Sequence, residues 1–162
     1  MNIIWHGHSC FEITGKDGTI VFDPYQANSV PGLNSLKLKA NLVLCSHEHD
    51  DHNARNCVEV APKDFKVTCI ETYHDHHQGS HRGKNTIHIV DFENLKVVHM
   101  GDIGCMMDDV SKLKNCDVLM IPIGGYYTID TKEALKYIER IQPRIVIPMH
   151  YHSHEFGYDV LS

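Results

Sequence analysis

The sequence lacks the features that mark secreted and membrane proteins. None of its six cysteines forms a C-x-x-C pair, and a chain of 162 residues can build a core without a disulfide framework. No apolar run approaches the length of a transmembrane helix. Residues 1–6 lack the basic and apolar regions of a signal peptide. These absences predict a cytoplasmic protein with reduced thiols and no membrane association.

A surplus of basic residues is also missing. The chain carries 15 Lys and Arg against 21 Asp and Glu, for a formal net charge of −6. This balance argues against binding to long nucleic acids or to a membrane surface. It still allows a small anionic substrate, because bound metal ions would dominate the local field. No linker or break in composition divides the chain, so we expect a single domain over 1–162. The oligomeric state stays open, and a homo-oligomer is compatible with the sequence.

Hydrophobic patterning predicts a strand-rich chain with few helices. The predicted strands are 2–6, 10–14, 18–23, 41–46, 66–72, 86–92, 95–100, 117–122 and 144–148. The predicted helices lie near 53–61, 108–115 and 131–141, and 25–39 is a predicted loop with room for a short helix. The order is β-rich in the first half and βαβ-like in the second. We therefore expect sheets packed together with helices outside them.

A histidine-rich hexapeptide follows one of the buried strands. His47-Glu48-His49-Asp50-Asp51-His52 has the pattern H-x-H-x-D-H, and imidazole and carboxylate are ligands that Zn²⁺ prefers. Residues i and i+2 of an extended segment share a face, so His47 and His49 can bind one metal. Asp51 and His52 can turn toward a second metal as the chain bends. The alternative is a solvated His-rich loop, in a chain with 14 histidines.

Three more candidate ligands follow other predicted strands. They are His74, Asp102 and His150, and ligands from several strand ends are typical of a preorganised site on a rigid scaffold. Neighbouring histidines compete with two of these candidates. The competitors of His74 are His76, His77 and His81, and those of His150 are His152 and His154. The position directly after the strand favours His74, and the segment Pro-Met-His-Tyr favours His150.

The order of these motifs resembles that of the metallo-β-lactamase superfamily, whose signature is H-x-H-x-D-H followed by a His, an Asp and a final His. Within it, the chain is similar to small metal-dependent hydrolases related to the L-ascorbate-6-phosphate lactonases. Further matching segments are 7–11, 23–24, 82–85, 101–102, 122–125 and 148–151. The resemblance implies an α/β fold, the αββα sandwich, with the metal site at one edge between the two sheets.

The resemblance also implies a dinuclear ligand set. One metal would be bound by His47, His49 and His74, and the other by Asp51, His52 and His150. Asp102 would bridge both, because a carboxylate can span two nearby cations. Flavodiiron relatives have a Glu where this chain has His49. The His favours two Zn²⁺ ions and hydrolysis, and it leaves Mn²⁺ or Fe²⁺ open.

The function that the resemblance implies is hydrolysis by a metal-activated hydroxide. The substrate would be an ester, lactone or phosphoester of a small, anionic compound. Asp51 would orient the nucleophile, and His8 would donate a proton or simply hydrogen-bond within its loop. Arg82 and Lys84 would bind a substrate anion, or Arg82 and Asn85 would tie loops together. The alternatives are a phosphodiesterase or nuclease-like enzyme and a non-catalytic, metal-dependent binding module.

The distance from the last candidate ligand to the end of the sequence is short. The sequence stops at Ser162, soon after His150, whereas relatives of this type continue with further strand or helix. We therefore expect either a minimal form of the domain or a C-terminus that is truncated.

Overall fold

Two facing β-sheets form the centre of the computed structural model, which describes residues 1–161. The strands are β1 (Asn2–Gly7), β2 (Cys10–Gly15), β3 (Gly18–Phe22), β4 (Leu38–Ala40), β5 (Leu42–Leu44), β6 (Val58–Val60), β7 (Lys66–Tyr73), β8 (Lys84–Phe92), β9 (Leu95–His99), β10 (Val118–Pro122) and β11 (Ile145–Met149). Helix α1 spans Thr131–Ile141, and 3₁₀ turns lie at Arg55–Cys57 and Ser111–Leu113.

Strand order explains why several strands end at the same edge. The first sheet has the order β1-β2-β3-β5, and β3 and β5 are parallel. The second has the order β11-β10-β9-β8-β7, in which β9, β10 and β11 run parallel. β8 is antiparallel to both β7 and β9, so β7 runs in the direction of β9. The carboxyl ends of β7, β9 and β11 therefore meet at one edge. A two-stranded sheet of β4 and β6 completes the topology.

The main core fills the space between the two sheets. Phe11 and Phe22 from the first sheet meet Phe92 and Met120 from the second, and all four are fully buried. Alternate residues of the same strands point to the opposite faces, as the period of two requires. Each sheet therefore also has an outer face that another layer must cover.

Helix α1 covers the outer face of the five-stranded sheet. Its residues Ala134, Tyr137 and Ile141 are buried there, at the spacing of an amphipathic helix. The Asp130 side chain accepts from the backbone N–H of Glu133, and the Glu133 side chain accepts from the backbone N–H of Asp130. This capping box confirms the predicted start of the helix.

The outer face of the four-stranded sheet is covered differently. Tyr25, Val30, Ala40 and Val58 pack against Val21 there, so the covering layer comes from the 25–40 segment and the β4–β6 pair. The αββα sandwich is confirmed as the fold class, with one helical and one non-helical outer layer within residues 1–161. In that range no helix combines the length and the apolar character that a membrane crossing requires.

Two of the predicted helices are wrong, and so is the short helix allowed in the 25–39 loop. The 53–61 segment contains one 3₁₀ turn and then β6, because the β-branched residues Val58 and Val60 pair with β4. The 108–115 segment contains only a 3₁₀ turn. The side chain of Asp109 accepts from the backbone N–H and the hydroxyl of Ser111, which competes with helical hydrogen bonding. The 25–39 loop leads into β4 without a helix.

Candidate metal centre

Five segments bring the candidate ligands to one edge of the sandwich. The H-x-H-x-D-H loop follows β5, His74 follows β7, Asp102 lies just after β9, and His150 follows β11. The fifth segment is the loop between β1 and β2, which contributes His8. This convergence follows from the strand directions, because β7, β9 and β11 all end at this edge.

The ligand atoms form two separate groups with the dimensions of a metal site, and a third set, His47, His52 and Asp102, links them. The first group consists of His47, His49 and His74, whose ligand atoms lie within 4.8 Å of one another. The second consists of His8, Asp51, His52 and His150, with the same limit of 4.8 Å. The two groups match the two sets expected from the sequence, with His8 added to the second.

Asp102 lies between the two groups. Its Oδ2 atom is 3.3 Å from His74 Nε2, in the first group. The same oxygen is 3.1 Å from His52 Nε2 and 2.9 Å from His150 Nε2, in the second. His47 Nε2 is 4.0 Å away. A carboxylate in this position can contact a cation in either group.

Several buried polar atoms at this edge have no hydrogen-bond partner within residues 1–161. They include His47 Nε2, His52 Nε2 and Asp102 Oδ1. His52 Nε2 lies 3.1 Å from Asp102 Oδ2, within ion-pair distance. A buried polar atom without a partner is costly, and inward-facing nitrogen and oxygen atoms are what a divalent cation requires. The residues therefore fit a bound metal.

A buried hydrogen-bond chain orients two of the imidazoles. His52 donates from Nδ1 to Asp23 Oδ2 at 2.8 Å. The Ser46 hydroxyl donates to the same oxygen at 2.6 Å and accepts from His47 Nδ1 at 2.9 Å. Both histidines thus use Nδ1 for support and present Nε2 to the centre. This second layer of hydrogen bonds is the usual way to fix a metal-binding histidine.

Burial keeps two histidines of the first group, His47 and His74, neutral. It lowers the pKa of His47 to about 3, with a further contribution from His52, and it also lowers the pKa of His74. A neutral imidazole keeps the lone pair that a metal ligand needs. At His8, burial and the adjacent His150 lower the pKa to about 4.

The carboxylates of the centre stay ionised. Burial alone would raise the pKa of Asp102, but His150 and His52 hold it well below its usual range. Burial would also lower the pKa of His52, yet Asp102, Asp51 and Asp23 raise it well above its usual range. Three carboxylates around one imidazole create a negative electrostatic potential that a positive charge would neutralise. An imidazolium or a metal ion can supply it.

Backbone strain is concentrated at the same edge. His8, Asp23 and His150 have φ values of 53°, 42° and 53°, which non-glycine residues rarely adopt. Such strain persists where surrounding contacts over-determine the conformation, and it is common at functional sites. Gly101 also has a positive φ of 56°, and a Cβ there would lie 2.4 Å from Ser46 Cβ. The close approach places Asp102 next to the H-x-H-x-D-H loop.

Asp51 is held by two residues that come from distant parts of the chain. His8 Nε2 lies 3.1 Å and the Tyr158 hydroxyl 3.3 Å from Asp51 Oδ2. The Tyr158 hydroxyl also donates to the Ser29 carbonyl at 2.7 Å. His8 itself is fully buried. Its position is that of a side chain that orients Asp51.

The competing histidines lie outside both groups. His76 pairs with Glu133 at 3.6 Å, and His152 lies 3.6 Å from Asp159. The rings of His77 and His81 lie 4.2 Å apart and are tilted by 33°. Neither these nor His154 belong to a potential metal cluster of the described residues. Among the sequence-predicted candidates, the structure brings together His8 and all seven proposed ligands.

Asn85 connects neighbouring segments, as one interpretation of the sequence predicted for it. Its side-chain nitrogen donates to Thr72 Oγ1 and to the Met100 carbonyl, and its oxygen accepts from the backbone N–H of Asp102. Sequence reasoning gave no site role to Asp23, Ser46 or Tyr158. The only signal for Asp23 was its position directly after a strand, within the segment 23–24 that carries part of the family resemblance.

A small cavity opens onto the ligand cluster. Its volume is about 300 Å³. The lining residues are His49, Asp51, His74, Arg82, Asp102, Tyr127, His150 and Tyr158. A cavity of this size suits a small molecule, and it gives a ligand direct access to both groups.

Comparisons with known proteins identify the family of this chain. A family model described as the beta-lactamase superfamily domain matches residues 2–150. A UPF0173 metal-dependent hydrolase of Thermoplasma acidophilum is 29% identical, over 94% of this chain and 84% of the relative. A UPF0173 metal-dependent hydrolase of Staphylothermus marinus is 30% identical, over 91% of this chain and 82% of the relative.

The fold is also similar to that of a solved structure from Thermotoga maritima, a candidate Zn-dependent hydrolase of the metallo-β-lactamase superfamily. The TM-score is 0.72 and the identity 28%, over 94% of this chain and 76% of the other. Together with the family model and the two curated relatives, this likeness extends across nearly the whole chain. The chain therefore belongs to the metallo-β-lactamase superfamily and, within it, to the UPF0173 metal-dependent hydrolases.

Proposed function

We propose that this protein is a dinuclear hydrolase that uses two divalent metal ions, with Zn²⁺ favoured over Mn²⁺ or Fe²⁺. The observation that carries the proposal is the pair of ligand groups that share Asp102. The first cation is held by His47, His49 and His74, and the second by Asp51, His52 and His150. Histidine-rich sets with carboxylates suit Zn²⁺, and the absence of cysteine distinguishes the centre from closed structural zinc sites.

The chain's own residues orient the reaction. Bound divalent cations supply a hydroxide nucleophile near neutral pH and Lewis acidity toward a carbonyl or phosphoryl oxygen. Asp51 would orient that nucleophile. His8 and Tyr158 fix the position of the Asp51 carboxylate. We assign His8 a positioning role through Asp51, because its buried side chain reaches that carboxylate and does not line the cavity.

The substrate is the ester, lactone or phosphoester of a small, anionic compound. The cavity of about 300 Å³ supports a small molecule, and the net charge of −6 argues against long nucleic acids. Lactonase action of the kind that the sequence resemblance implies is one form of this proposal. The family relationship supports hydrolysis as the reaction class.

Turnover of two chromogenic substrates tests the proposal. Metal-loaded and chelator-treated protein are compared on p-nitrophenyl acetate and bis-p-nitrophenyl phosphate. We expect hydrolysis of at least one, lost on chelation and restored by metal. The variant Asp51→Ala should lose activity and metal. The control Asp64→Ala removes an exposed carboxylate outside the ligand groups and should keep both activity and metal. Full activity and unchanged metal content in Asp51→Ala would overturn the assignment, and a metal-loaded protein inert on both substrates would favour a binding module.

A further inference from the structure

Arg82 lies beside the proposed metal centre, and it has no ion-pair partner among residues 1–161. Its side chain lines the cavity that contains His49, His74 and Asp102. It also lines an adjacent cavity of about 350 Å³. Neither lining contains a lysine or a second arginine. Arg82 is therefore the permanent cation at the junction of the two cavities.

The other three arginines are all engaged. Arg55 donates twice to the Glu48 carboxylate, at 3.0 and 2.7 Å. Arg144 donates to Asp117 at 2.8 Å. Arg140 donates to two backbone carbonyls, both at 2.7 Å. Within residues 1–161 the Arg82 guanidinium has neither a carboxylate partner nor a carbonyl acceptor among its contacts.

Two aromatic rings hold this guanidinium in place. Its central carbon lies 5.7 Å from the ring centre of Tyr126 and 5.4 Å from that of Tyr127. The two rings meet edge to face, with centroids 4.9 Å apart. Stacking on aromatic faces leaves the N–H fork of an arginine available to an acceptor. The side chain is thus positioned without consuming its hydrogen-bonding capacity.

The backbone that carries Arg82 is also fixed. The Asp75 carboxylate accepts four backbone N–H bonds, those of His77, Gly79, His81 and Arg82, at 2.7 to 3.1 Å. The 75–83 loop is consequently preorganised around one carboxylate, directly after His74 at the centre. Preorganisation of this kind lowers the entropic cost of binding a ligand.

We propose that Arg82, held against Tyr126 and Tyr127, binds a carboxylate of the substrate that is not part of the scissile bond. Arg82 is then a specificity-determining residue, and the substrate is an ester or lactone that also carries a carboxylate. The guanidinium fork matches a carboxylate in two parallel hydrogen bonds. This inference rests on the proposed hydrolase function.

The surrounding carboxylates disfavour a dianionic ligand more strongly than a monoanionic one. The adjacent cavity also contains Asp75, Asp130 and Glu133. One guanidinium among three carboxylates offsets a monoanion better than a dianionic phosphate monoester. We therefore assign the site to a carboxylate, and the phosphate becomes an outcome of the test.

Two matched esters test this assignment by turnover. Mono-p-nitrophenyl succinate carries a distal carboxylate, and p-nitrophenyl butyrate has a neutral acyl chain of the same length. For Arg82→Ala we expect kcat/KM on the succinate ester to fall roughly ten- to a hundredfold, mainly through KM, since a hydrogen bond to a charged group is lost. Activity on the butyrate ester should change less than about twofold. Arg82→Lys should recover part of the loss, because it restores the charge without the fork.

The control is Lys84→Ala, which removes an exposed cation of the same segment that pairs with Glu71. It should leave both esters unaffected. An equal fall on both esters in Arg82→Ala would show that Arg82 only ties the loops together. No fall on either would show that it does not contact the substrate.

A binding measurement separates this inference from the proposed function. Ligand-observed NMR compares succinamate, which has one carboxylate, with neutral butyramide and with ethyl phosphate on metal-loaded protein. We expect succinamate to bind more tightly than butyramide in the parent and to lose that advantage in Arg82→Ala. This result without any ester turnover would overturn hydrolysis and keep the carboxylate site. If esters are turned over but succinamate binds equally well to the parent and to Arg82→Ala, the carboxylate site alone is overturned. If ethyl phosphate binds more tightly than succinamate and this binding depends on Arg82, the ligand group is a phosphate and not a carboxylate.

Discussion

The two ligand groups of the candidate centre are built in different ways. The first, His47, His49 and His74, comes from two segments, and His49 is exposed to solvent. The second comes from three segments that span the chain from His8 to His150. Its histidines are fully or almost fully buried. The first group therefore joins one segment from each sheet within the first half of the chain, whereas the second also requires segments from the two ends of the chain to meet.

The hydrogen bonds that support the two groups also differ in how far apart their partners lie in the sequence. His47 is supported directly by the adjacent Ser46 and reaches Asp23 only through the Ser46 hydroxyl. His52 depends on Asp23, which is 29 residues away, and Asp51 on Tyr158, which is 107 residues away. Long-range support makes the second group sensitive to packing as well as to ligand chemistry. We expect substitutions to remove the two metals unequally, and the following predictions exploit that difference.

The largest effect is expected from Asp102→Ala. The substitution removes the one carboxylate that contacts both groups, so both metals should be weakened together. Metal content should fall below one per chain, and hydrolysis should fall more than about 100-fold, beyond the usual cost of losing a supporting residue. Elemental analysis and circular dichroism on the same preparation check this. A folded variant that retains two metals would show that Asp102 is not shared.

Separate single-ligand substitutions should distinguish the groups. His52→Ala removes a ligand whose imidazole also contacts Asp23, and we expect it to lose one metal and to unfold at a lower temperature. His49→Ala removes an exposed side chain, so it should lose at most one metal with little change in stability. Metal content and thermal unfolding of the two variants give the comparison. Identical losses in both would contradict the difference between the groups.

A smaller effect is expected from Asp23→Asn. The amide cannot accept from the Ser46 backbone, the Ser46 hydroxyl and His52 as the carboxylate does. Loss of such support typically lowers metal affinity about 10- to 100-fold. Competition with a chromophoric chelator measures the affinity, and Asp91→Asn, an exposed partner of Lys66, serves as the control. Equal affinity in Asp23→Asn and Asp91→Asn would remove Asp23 from the account.

The smallest effect concerns His88, a buried histidine away from both groups. Burial lowers the pKa of His88 to about 4, below its unfolded value of about 6.5. The unfolded chain therefore binds the proton first, and the folded protein loses stability as the pH falls from about 6.5 toward 4. The full difference is at most about 3 kcal/mol.

The variant His88→Leu isolates this contribution. We expect its free energy of unfolding, measured in denaturant with metal removed, to decline less between pH 6.5 and 4 than that of the parent. The comparison is made between the two chains, so the titration of the other histidines is common to both. Parallel pH profiles would show that His88 is not buried in neutral form.

Sequence patterns predicted the local parts of this molecule better than the distant contacts. The H-x-H-x-D-H loop and the capped helix 131–141 are written in neighbouring residues, and both lie where the sequence indicated. The 53–61 segment was misjudged because its pairing partner, β4, lies some twenty residues earlier. Asp23 and Tyr158 were missed for the same reason. Their roles depend on contacts that no local pattern encodes.

The most direct test of the central claim is the number of metal ions per chain in protein purified without chelator. Elemental analysis should find about two equivalents of zinc, manganese or iron in the parent. The same analysis of His52→Ala should find one. A folded parent protein that holds one metal or none, and takes up no more on titration, would contradict a dinuclear centre built from two groups around Asp102.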